Sequence, residues 1–469
     1  MLRHHARPHC RAGSPAITRV FPLPTTTATL PAGQSRSRLL RILGIGFGLA
    51  VGVGETIAAG IVRTPGEIAS RLPATWLFLG VWVLGGIYAM LGALQLSELG
   101  AMIPQSGGQY NFARRALGDY AGFIVGWSDW ISTCGTTSAV AIVIGEYLGV
   151  LVPRLAGREV VIALAVTAAF TLLQWRGLRW GSRTQEITGM LKASGFLAIV
   201  AACFLLGGKS QASGTAVVSL PTGLPLVAAL VVGLQAVIYS YDGWDSVIYF
   251  CEEVRNPGRD IPRSMFGGVL SIMGIYLLLN LALVYLLPIS QIAGQNFALG
   301  VAAQKIFGAH GDQIVRTVMV LSLLSCVNAN EMLATRVPFA MSRDGLFSRR
   351  AMRVNEGGTP SVALFASSTV AALLILSGTF EKVIALLAFF FVANYAISFL
   401  SVFVLRRREP DALRPYRAWG YPWTTGLALL GSLAFLAGAV AGDTRNSLWA
   451  GVLLAASYPV YRLLRRAIR

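Results

Sequence analysis

Two aspartates interrupt one of the most apolar stretches of the 469-residue sequence. Asp242 and Asp245 lie in the segment 239–258, which reads YSYDGWDSVIYFCEEVRNPG, and Gly243 follows the first of them. The three-residue spacing puts both carboxylates on one face of a helix. In hydrocarbon every backbone polar group needs an internal partner, so an Asp-Gly break within a spanning helix is costly unless it lines a cavity. The pattern indicates a ligand site at which the carbonyls before the break suit a cation.

A second apolar stretch, earlier in the chain, is interrupted by small residues. The segment 52–68 reads GVGETIAAGIVRTPGEI, and glycine lets a backbone unwind and approach a ligand. A half-helix that starts after residues 58–60 would offer unpaired N–H groups and the positive end of its dipole to an anion. An anion site beside a cation site fits the zwitterion of an α-amino acid. Close packing between membrane helices is the alternative explanation for these glycines.

Lys192 is the one lysine within a predicted membrane span. An unpaired charge at that depth costs about 2.5–3.5 kcal/mol, so this residue needs a partner or a function. It would act either as a fixed cation bonded to carbonyls of the first helix or as a group that titrates because burial disfavours its charged form.

Several acidic residues are expected at membrane depth or at its edge. They either pair with basic residues and helix ends, or they tune a pocket and relay protons, and Asp242 is the best candidate for ligand contact. The acids expected within spans are Glu55, Asp242, Asp245 and Glu331, with Lys192 and Arg336 as their candidate partners. At the end of the sixth span, Glu252 and Glu253 are expected to pair with Arg255, Arg259 or Arg263.

The remaining residue types that carry chemistry are sparse. Three of the four histidines lie in the first nine residues and the fourth is His310 in a predicted loop, so a histidine proton relay within the spans is excluded. The five cysteines are scattered without C-x-x-C spacing, which predicts neither a disulfide framework nor a metal site. No phosphate-binding G-x-x-x-x-G-K-[ST] motif is present, so primary transport driven by ATP is not expected. We expect no metal and no cofactor.

The elements that position these residues are apolar helices. The chain is 55% hydrophobic and only 13% charged, with a mean hydropathy of +0.62, whereas soluble domains are about a quarter charged. An ordinary soluble enzyme is therefore excluded, and so is a disordered chain. Apolar runs of spanning length predict an all-α polytopic membrane protein with twelve transmembrane helices. The predicted spans are 40–62, 72–97, 121–150, 160–175, 187–207, 224–250, 264–304, 317–330, 360–380, 383–405, 418–442 and 446–461.

The net charge of +18 is explained by the orientation of these spans rather than by nucleic acid binding. With the N-terminus inside, 29 of the 39 basic residues fall on the inner side and 9 on the outer side. This bias predicts that both termini are cytoplasmic. We expect residues 1–38 to form a disordered basic cytoplasmic tail, with a targeting peptide as the alternative. A transport core would follow at 39–405, then a cytoplasmic loop at 406–417, and two last helices with a cytoplasmic C-terminus at 418–469.

Five short motifs, in order along the chain, carry a family resemblance. They are AAGIV with TPG at 58–66, ELG with IP and SGGQY at 98–110, YDGW with EE and NP at 241–257, Arg336 with AMSRDG at 340–345, and GTP at 358–360. Together they resemble the amino acid–polyamine–organocation superfamily, in particular its L-type and related amino acid permeases. The resemblance implies a leucine-transporter-like fold, with a 5+5 inverted repeat, broken helices 1 and 6, and two further C-terminal helices. In transporters generally, interrupted helices at corresponding positions of two repeats also indicate where the substrate binds.

The resemblance also assigns roles to individual positions. Backbone amides at Ala58, Ala59 and Gly60 would bind the substrate carboxylate, although the family has Gly-Ser-Gly there and a hydroxyl contact at Ala59 is lost. Tyr239 would be the aromatic gate, and Lys192 would replace the cation that sodium-coupled relatives bind. Carbonyls near Ile57, Tyr239 and Ser240 would hold the amino group. The predicted substrate-binding residues are Thr56, Ile57, Ala58, Ala59, Gly60, Tyr239, Ser240, Asp242 and Gly243.

These observations favour a secondary amino acid transporter that works by alternating access in a bacterial inner membrane. Its partners would be a small amino acid, the lipid bilayer and either a proton or a counter-substrate, with no nucleic acid. An amine or polyamine permease of the same fold is the first alternative, and a solute sensor that has lost transport is another. A membrane-embedded, metal-dependent lipid-modifying enzyme would need Asp242, Asp245, Glu252 and Glu253 to converge at one membrane edge.

Overall fold

The computed structural model describes residues 39–58, 60–208, 222–377, 380–442 and 444–468, with the side chains of 380–388, 446 and 466–468 left out. The predicted tail 1–38 and Ala59 therefore lie outside the described residues. In the described part the chain folds as sixteen α-helices and holds no strand. Long runs of apolar residues with good helix formers explain this, because a backbone that leaves water must satisfy its polar groups within each segment.

The first eight α-helices are α1 (Ile45–Thr56), α2 (Gly60–Arg71), α3 (Thr75–Met102), α4 (Gln109–Leu117), α5 (Asp119–Leu151), α6 (Glu159–Arg176), α7 (Leu178–Leu206) and α8 (Leu224–Tyr241). The next eight are α9 (Pro257–Leu286), α10 (Ile289–Ile292), α11 (Ala298–Phe307), α12 (Gly311–Arg343), α13 (Ser361–Leu376), α14 (Phe380–Arg408), α15 (Trp423–Gly442) and α16 (Thr444–Ile468). Short 3₁₀ helices occur at Pro153–Leu155, Ser246–Phe250, Gly308–His310 and Arg349–Met352.

Nine segments of the described chain are long and apolar enough to cross a membrane. A tenth is added if α1 and α2, which meet at 48°, count as one bent span, and α13 is a shorter apolar helix. The chain is thus an all-helical, polytopic, integral membrane protein. One predicted span has different bounds in the structure, because the uncharged run 264–304 comprises most of α9, all of α10 and part of α11. Leu287 leaves the helical conformation, with an extended backbone, and Pro288 follows it.

The interior of the bundle forms around α1 and α12. Helix α12 packs against α5, α7 and α1, while α1 also packs against α9 and α7. At the end of the bundle where α1 begins, the backbone of Leu43 forms a parallel bridge with Val254. This bridge fixes the start of α1 to the segment that follows the Ser246–Phe250 turn, so the two interrupted segments are joined at this end as well as at their interruptions.

Candidate functional site

The two interrupted segments meet in the interior of the bundle. Helix α8 ends at Tyr241, and Gly243 follows with φ of +102°, a conformation that favours glycine. A Cβ atom built on Gly243 would overlap the Glu55 side chain and lie 3.0 Å from the Thr56 nitrogen. On the other side of the break, a Cβ atom on Gly60 would lie 3.1 Å from the Ser240 Cα. Glycine at these two positions therefore permits the contact between the segments.

A cavity of about 640 Å³ opens where these segments meet. Its volume falls within the range of small-molecule sites. From the predicted substrate-binding set, its wall contains Thr56, Ala58, Gly60, Tyr239, Ser240 and Asp242. Ile57 and Gly243 lie behind the wall, and Ala59 is outside the described residues. The cavity continues along α2 past Arg63, Glu67 and Arg71, away from the end where α1 begins.

The carbonyl groups expected to hold a cation already have donors in the protein. The Ile57 oxygen accepts a hydrogen bond of 2.7 Å from the Ser322 hydroxyl. The Tyr276 hydroxyl lies 2.8 Å from both the Thr56 and the Ser240 oxygens. Because a carbonyl has two lone pairs, each can still accept a second donor. Their proposed role in binding an amino group stays a prediction.

The amides expected to bind an anion are partly engaged too. The Ala58 N–H donates to the Thr56 oxygen at 2.8 Å, which tightens the chain just after α1 ends. On α2, the Thr64 hydroxyl forms a 2.7 Å hydrogen bond with the Ser240 hydroxyl. This bond ties the beginning of α2 to the end of α8. Of the three predicted amides, the Gly60 amide lies at the start of a described helix and beside the cavity. Helix N-termini favour anions.

The buried Lys192 side chain reaches α1 rather than the cavity. Its Nζ atom donates to the Gly54 oxygen at 2.6 Å, two residues before α1 ends. About two helical turns earlier on α7, the Gln185 amide donates to the Ala50 oxygen at 3.1 Å. The two side chains therefore bind α7 to the end of α1 that leads into the interruption. Whether Lys192 titrates stays a prediction.

Asp242 and Asp245 are held by neutral donors from other helices. The Tyr395 hydroxyl on α14 lies 2.6 Å from Asp242 Oδ1 and 3.2 Å from Asp245 Oδ1. The Gln109 amide on α4 donates to Asp245 Oδ2 at 2.8 Å. The same-face prediction thus has a counterpart in the structure, since one phenol contacts both carboxylates.

Two expected acid pairings, those of Glu252 and Glu253, are wrong. Glu253 pairs with Arg336 at 2.8 Å and Glu252 with Arg343 at 2.9 Å, in place of the arginines that follow them in sequence. Glu331 accepts from the Ser368 hydroxyl at 2.9 Å rather than pairing with Lys192 or Arg336. The described residues contain no group of three or more His, Cys, Asp or Glu residues that could hold a metal ion. The metal-dependent alternative therefore has no candidate centre in that part of the chain.

Several polar residues near the cavity were not among the site residues predicted from the sequence. Asp129 on α5 is 3% exposed and accepts from the Tyr249 hydroxyl at 2.8 Å. Asn394, on α14, is 2% exposed. The signal for Asp129 was available, because it is an isolated acid within the predicted span 121–150. Tyr395, Gln109 and Asn394 carried no comparable signal, since uncharged polar residues in membrane helices are common.

A cavity between membrane-spanning helices, at the point where two interrupted segments meet, is typical of one class of protein, the membrane transporters of small solutes. The comparisons identify the family within that class. The amino acid permease family model matches residues 38–458, nearly the whole chain, and the chain belongs to this family. It is a transporter and not an enzyme.

Similar proteins include transporters from bacteria and mammals. The serine/threonine exchanger SteT of Bacillus subtilis is 28% identical over 435 residues, which cover 90% of this chain and 96% of that protein. The large neutral amino acids transporter small subunit 2 of Mus musculus is 26% identical over 402 residues, covering 83% of this chain and 75% of its own length. The Asc-type amino acid transporter 1 of Homo sapiens is 25% identical over 399 residues, with 83% and 76% covered.

Proposed function

We propose that the chain is a secondary transporter that carries neutral amino acids through the 640 Å³ cavity by alternating access. The observation that carries the proposal is that both interrupted segments contribute residues to one cavity wall. In many secondary transporters, substrates bind between interrupted helices of two repeats. The names of the similar proteins, which include a serine/threonine exchanger and a large neutral amino acids transporter, support neutral amino acids as substrates.

The proposed architecture has twelve transmembrane helices, with α1–α2 and α8 with its following 3₁₀ turn as the broken first and sixth helices. The first ten would form a 5+5 inverted repeat, and α15 and α16 would be the two additional helices. Both termini would be cytoplasmic in a bacterial inner membrane, which the excess of basic residues on the inner side supports. The predicted substrate-binding residues 56–60, 239, 240, 242 and 243, with Tyr239 as gate and Lys192 as the fixed cation, form part of this proposal.

In this orientation the structure represents an outward-facing state. The cytoplasmic end is closed by the Leu43–Val254 bridge and by the buried ion pair between Arg336 and Glu253. The cavity continues in the opposite direction, along α2. Alternating access then requires these cytoplasmic contacts to separate while the contacts at the outer end form.

Exchange in proteoliposomes tests the proposal. Vesicles loaded with unlabelled L-serine are diluted into labelled L-serine without ATP, and a panel of amino acids, amines and polyamines competes outside. We expect saturable uptake that internal serine stimulates and that other neutral amino acids inhibit. Strong inhibition by amines instead would favour an amine permease. A protein that moves no member of the panel would refute transport, and amino acid binding without flux would favour the sensor alternative.

A further inference from the structure

A second, smaller cavity lies beside the substrate cavity. It measures about 30 Å³, and Glu55, Thr136, Asp242 and Phe391 line both cavities. Its remaining wall carries two more buried acids, Asp129 and Asp245. Four acidic residues from α1, α5 and the segment after α8 therefore line a space of about the size needed for one water molecule.

These carboxyl groups have fewer hydrogen-bond donors around them than they have acceptor positions. The Tyr395 hydroxyl has one proton but contacts both Asp242 and Asp245. The hydroxyl can donate to only one of the two carboxyl groups. The second contact is a hydrogen bond only if that carboxyl group is protonated and donates to the tyrosine oxygen. The Tyr249 hydroxyl likewise has one proton for the two oxygens of Asp129, at 2.8 and 2.9 Å. A carboxylate has about four acceptor positions, so Asp129 keeps positions that a bound water molecule or a proton would fill.

Two buried polar atoms of the cavity wall have no hydrogen-bond partner within the described residues. They are the Asn394 amide nitrogen and Glu55 Oε2. Asn394 is 2% exposed, its side-chain oxygen lies 3.1 Å from the Ser128 hydroxyl, and the residue lines the smaller cavity. Burying an amide without a partner costs free energy. A bound water molecule would supply that partner and would bridge Asn394 to the surrounding carboxyl groups.

The charged and titratable groups around the cavity are mostly acidic. Among the described residues, Lys192 on α7 contacts α1 at Gly54 next to Glu55, and Arg63 on α2 lines the adjoining substrate cavity. The neutral titratable neighbours are Tyr239 on α8, Tyr249 in the 3₁₀ turn, Tyr395 on α14 and Cys326 on α12. Four ionised carboxylates would exceed the charge of these two cations and leave uncompensated charge at membrane depth. Like carboxylates in one site cannot all ionise, and they titrate as a group.

We propose that Glu55, Asp129, Asp242 and Asp245 form a proton-binding site, bridged by a bound water molecule, and that amino acid transport carries one proton with the substrate. The proton binds a carboxylate to give a carboxylic acid, and no other reactant takes part. Binding this proton lowers the charge that must be enclosed when the cavity closes, so the protonated carrier changes conformation more readily. The coupling to transport rests on the proposed function, whereas proton binding does not.

Infrared spectroscopy of the purified full chain tests proton binding without transport. We expect a carbonyl stretch band of protonated carboxyl groups at neutral pH that weakens in Asp129→Asn and in Asp245→Asn. Asp312→Asn is the matched control, because Asp312 forms an ion pair with Arg316 at 2.6 Å and contributes no such band. If neither variant of the cluster weakens the band, the proton-binding site is refuted.

Proteoliposomes with a pH-sensitive dye inside test the coupling. With the membrane potential held at zero, an acidic exterior, one pH unit below the interior, should support about tenfold accumulation of L-serine at one proton per substrate and should acidify the lumen. The readout for each variant is the ratio of gradient-driven uptake to serine exchange at equal pH, measured in the same preparation. We expect this ratio to fall severalfold in Asp129→Asn and Asp245→Asn and to be retained in Asp312→Asn.

The other outcomes each contradict a distinct part of the inference. Accumulation that follows an inward sodium gradient and ignores pH would identify a sodium site in place of a proton site. Serine exchange without any response to the pH gradient would refute proton coupling, even if the infrared band is present. Absence of serine exchange by the unmodified chain would contradict the proposed function, while the infrared result still decides whether the cluster binds a proton.

Discussion

Replacing Gly243 with alanine tests whether the two interrupted segments have to touch. The residue has φ of +102°, and a Cβ atom there would lie 2.9 Å from the Glu55 Cβ and 3.0 Å from the Thr56 nitrogen. The backbone strain of a non-glycine residue in such a conformation costs about 1–3 kcal/mol. Overpacking of a well-packed interior costs about 1–3 kcal/mol more. We therefore expect the native contact to lose at least about 2 kcal/mol, which corresponds to roughly a thirtyfold drop in the population of that arrangement.

The assay is serine exchange in proteoliposomes at equal pH, with the rate divided by the amount of reconstituted protein. Gly274→Ala on α9 is the matched control, because a Cβ atom there has nothing within 4 Å. Gly243→Ala should reduce exchange at least tenfold, and Gly274→Ala should leave it within about twofold, since alanine is the better helix former. Near-normal exchange by Gly243→Ala would refute the claim that this contact shapes the transport site.

Three further substitutions have defined expectations. Lys192→Met leaves the Gly54 oxygen without its donor, so we expect a loss of about 1–3 kcal/mol in stability and a clear fall in serine exchange. Unchanged exchange and an unchanged unfolding temperature would show that Lys192 supports neither transport nor stability. Arg336→Met leaves Glu253 buried and unpaired at a cost of about 3–5 kcal/mol in stability, and adding Glu253→Gln should restore much of that stability in thermal unfolding. A double variant as unstable as the single one would contradict this cause. Thr64→Val removes the 2.7 Å hydrogen bond to Ser240 and should cost about 1 kcal/mol, seen as a severalfold slower exchange; an unchanged rate would show that this bond does not limit the cycle.

The sequence predicts the class of fold because membrane helices are specified locally. Long uncharged runs such as those in α3, α9 and α15 leave one structure that satisfies the backbone in hydrocarbon. The two interruptions were also visible, because Asp242-Gly243 and the glycines of 52–60 conflict with a simple apolar helix. The predicted run 264–304 was too long because composition alone does not show where Leu287 and Pro288 end α9.

The partners of the charged residues were harder to predict. Arg336 and Glu253 lie 83 positions apart in the sequence, and no local pattern relates them. The nearest arginines were the natural expectation for Glu253, yet Arg259, for example, pairs with Asp260. The position of Asp129 beside Asp245 depends in the same way on the packing of α5 against α12 and α14. Spacing identifies candidate residues, whereas tertiary packing decides which of them share a cavity.

Alkylation of an engineered cysteine shows whether amino acids bind where the two interrupted segments meet. Ala58→Cys places a thiol on the cavity wall, and Leu413→Cys places one at an exposed position of the loop after α14. Labelling by a small thiol reagent is measured as the increment over the unmodified chain, with and without a saturating transported amino acid. We expect the amino acid to slow labelling at position 58 severalfold and to leave labelling at position 413 unchanged. Equal labelling at position 58 with and without an amino acid that the same protein exchanges would contradict binding at this site.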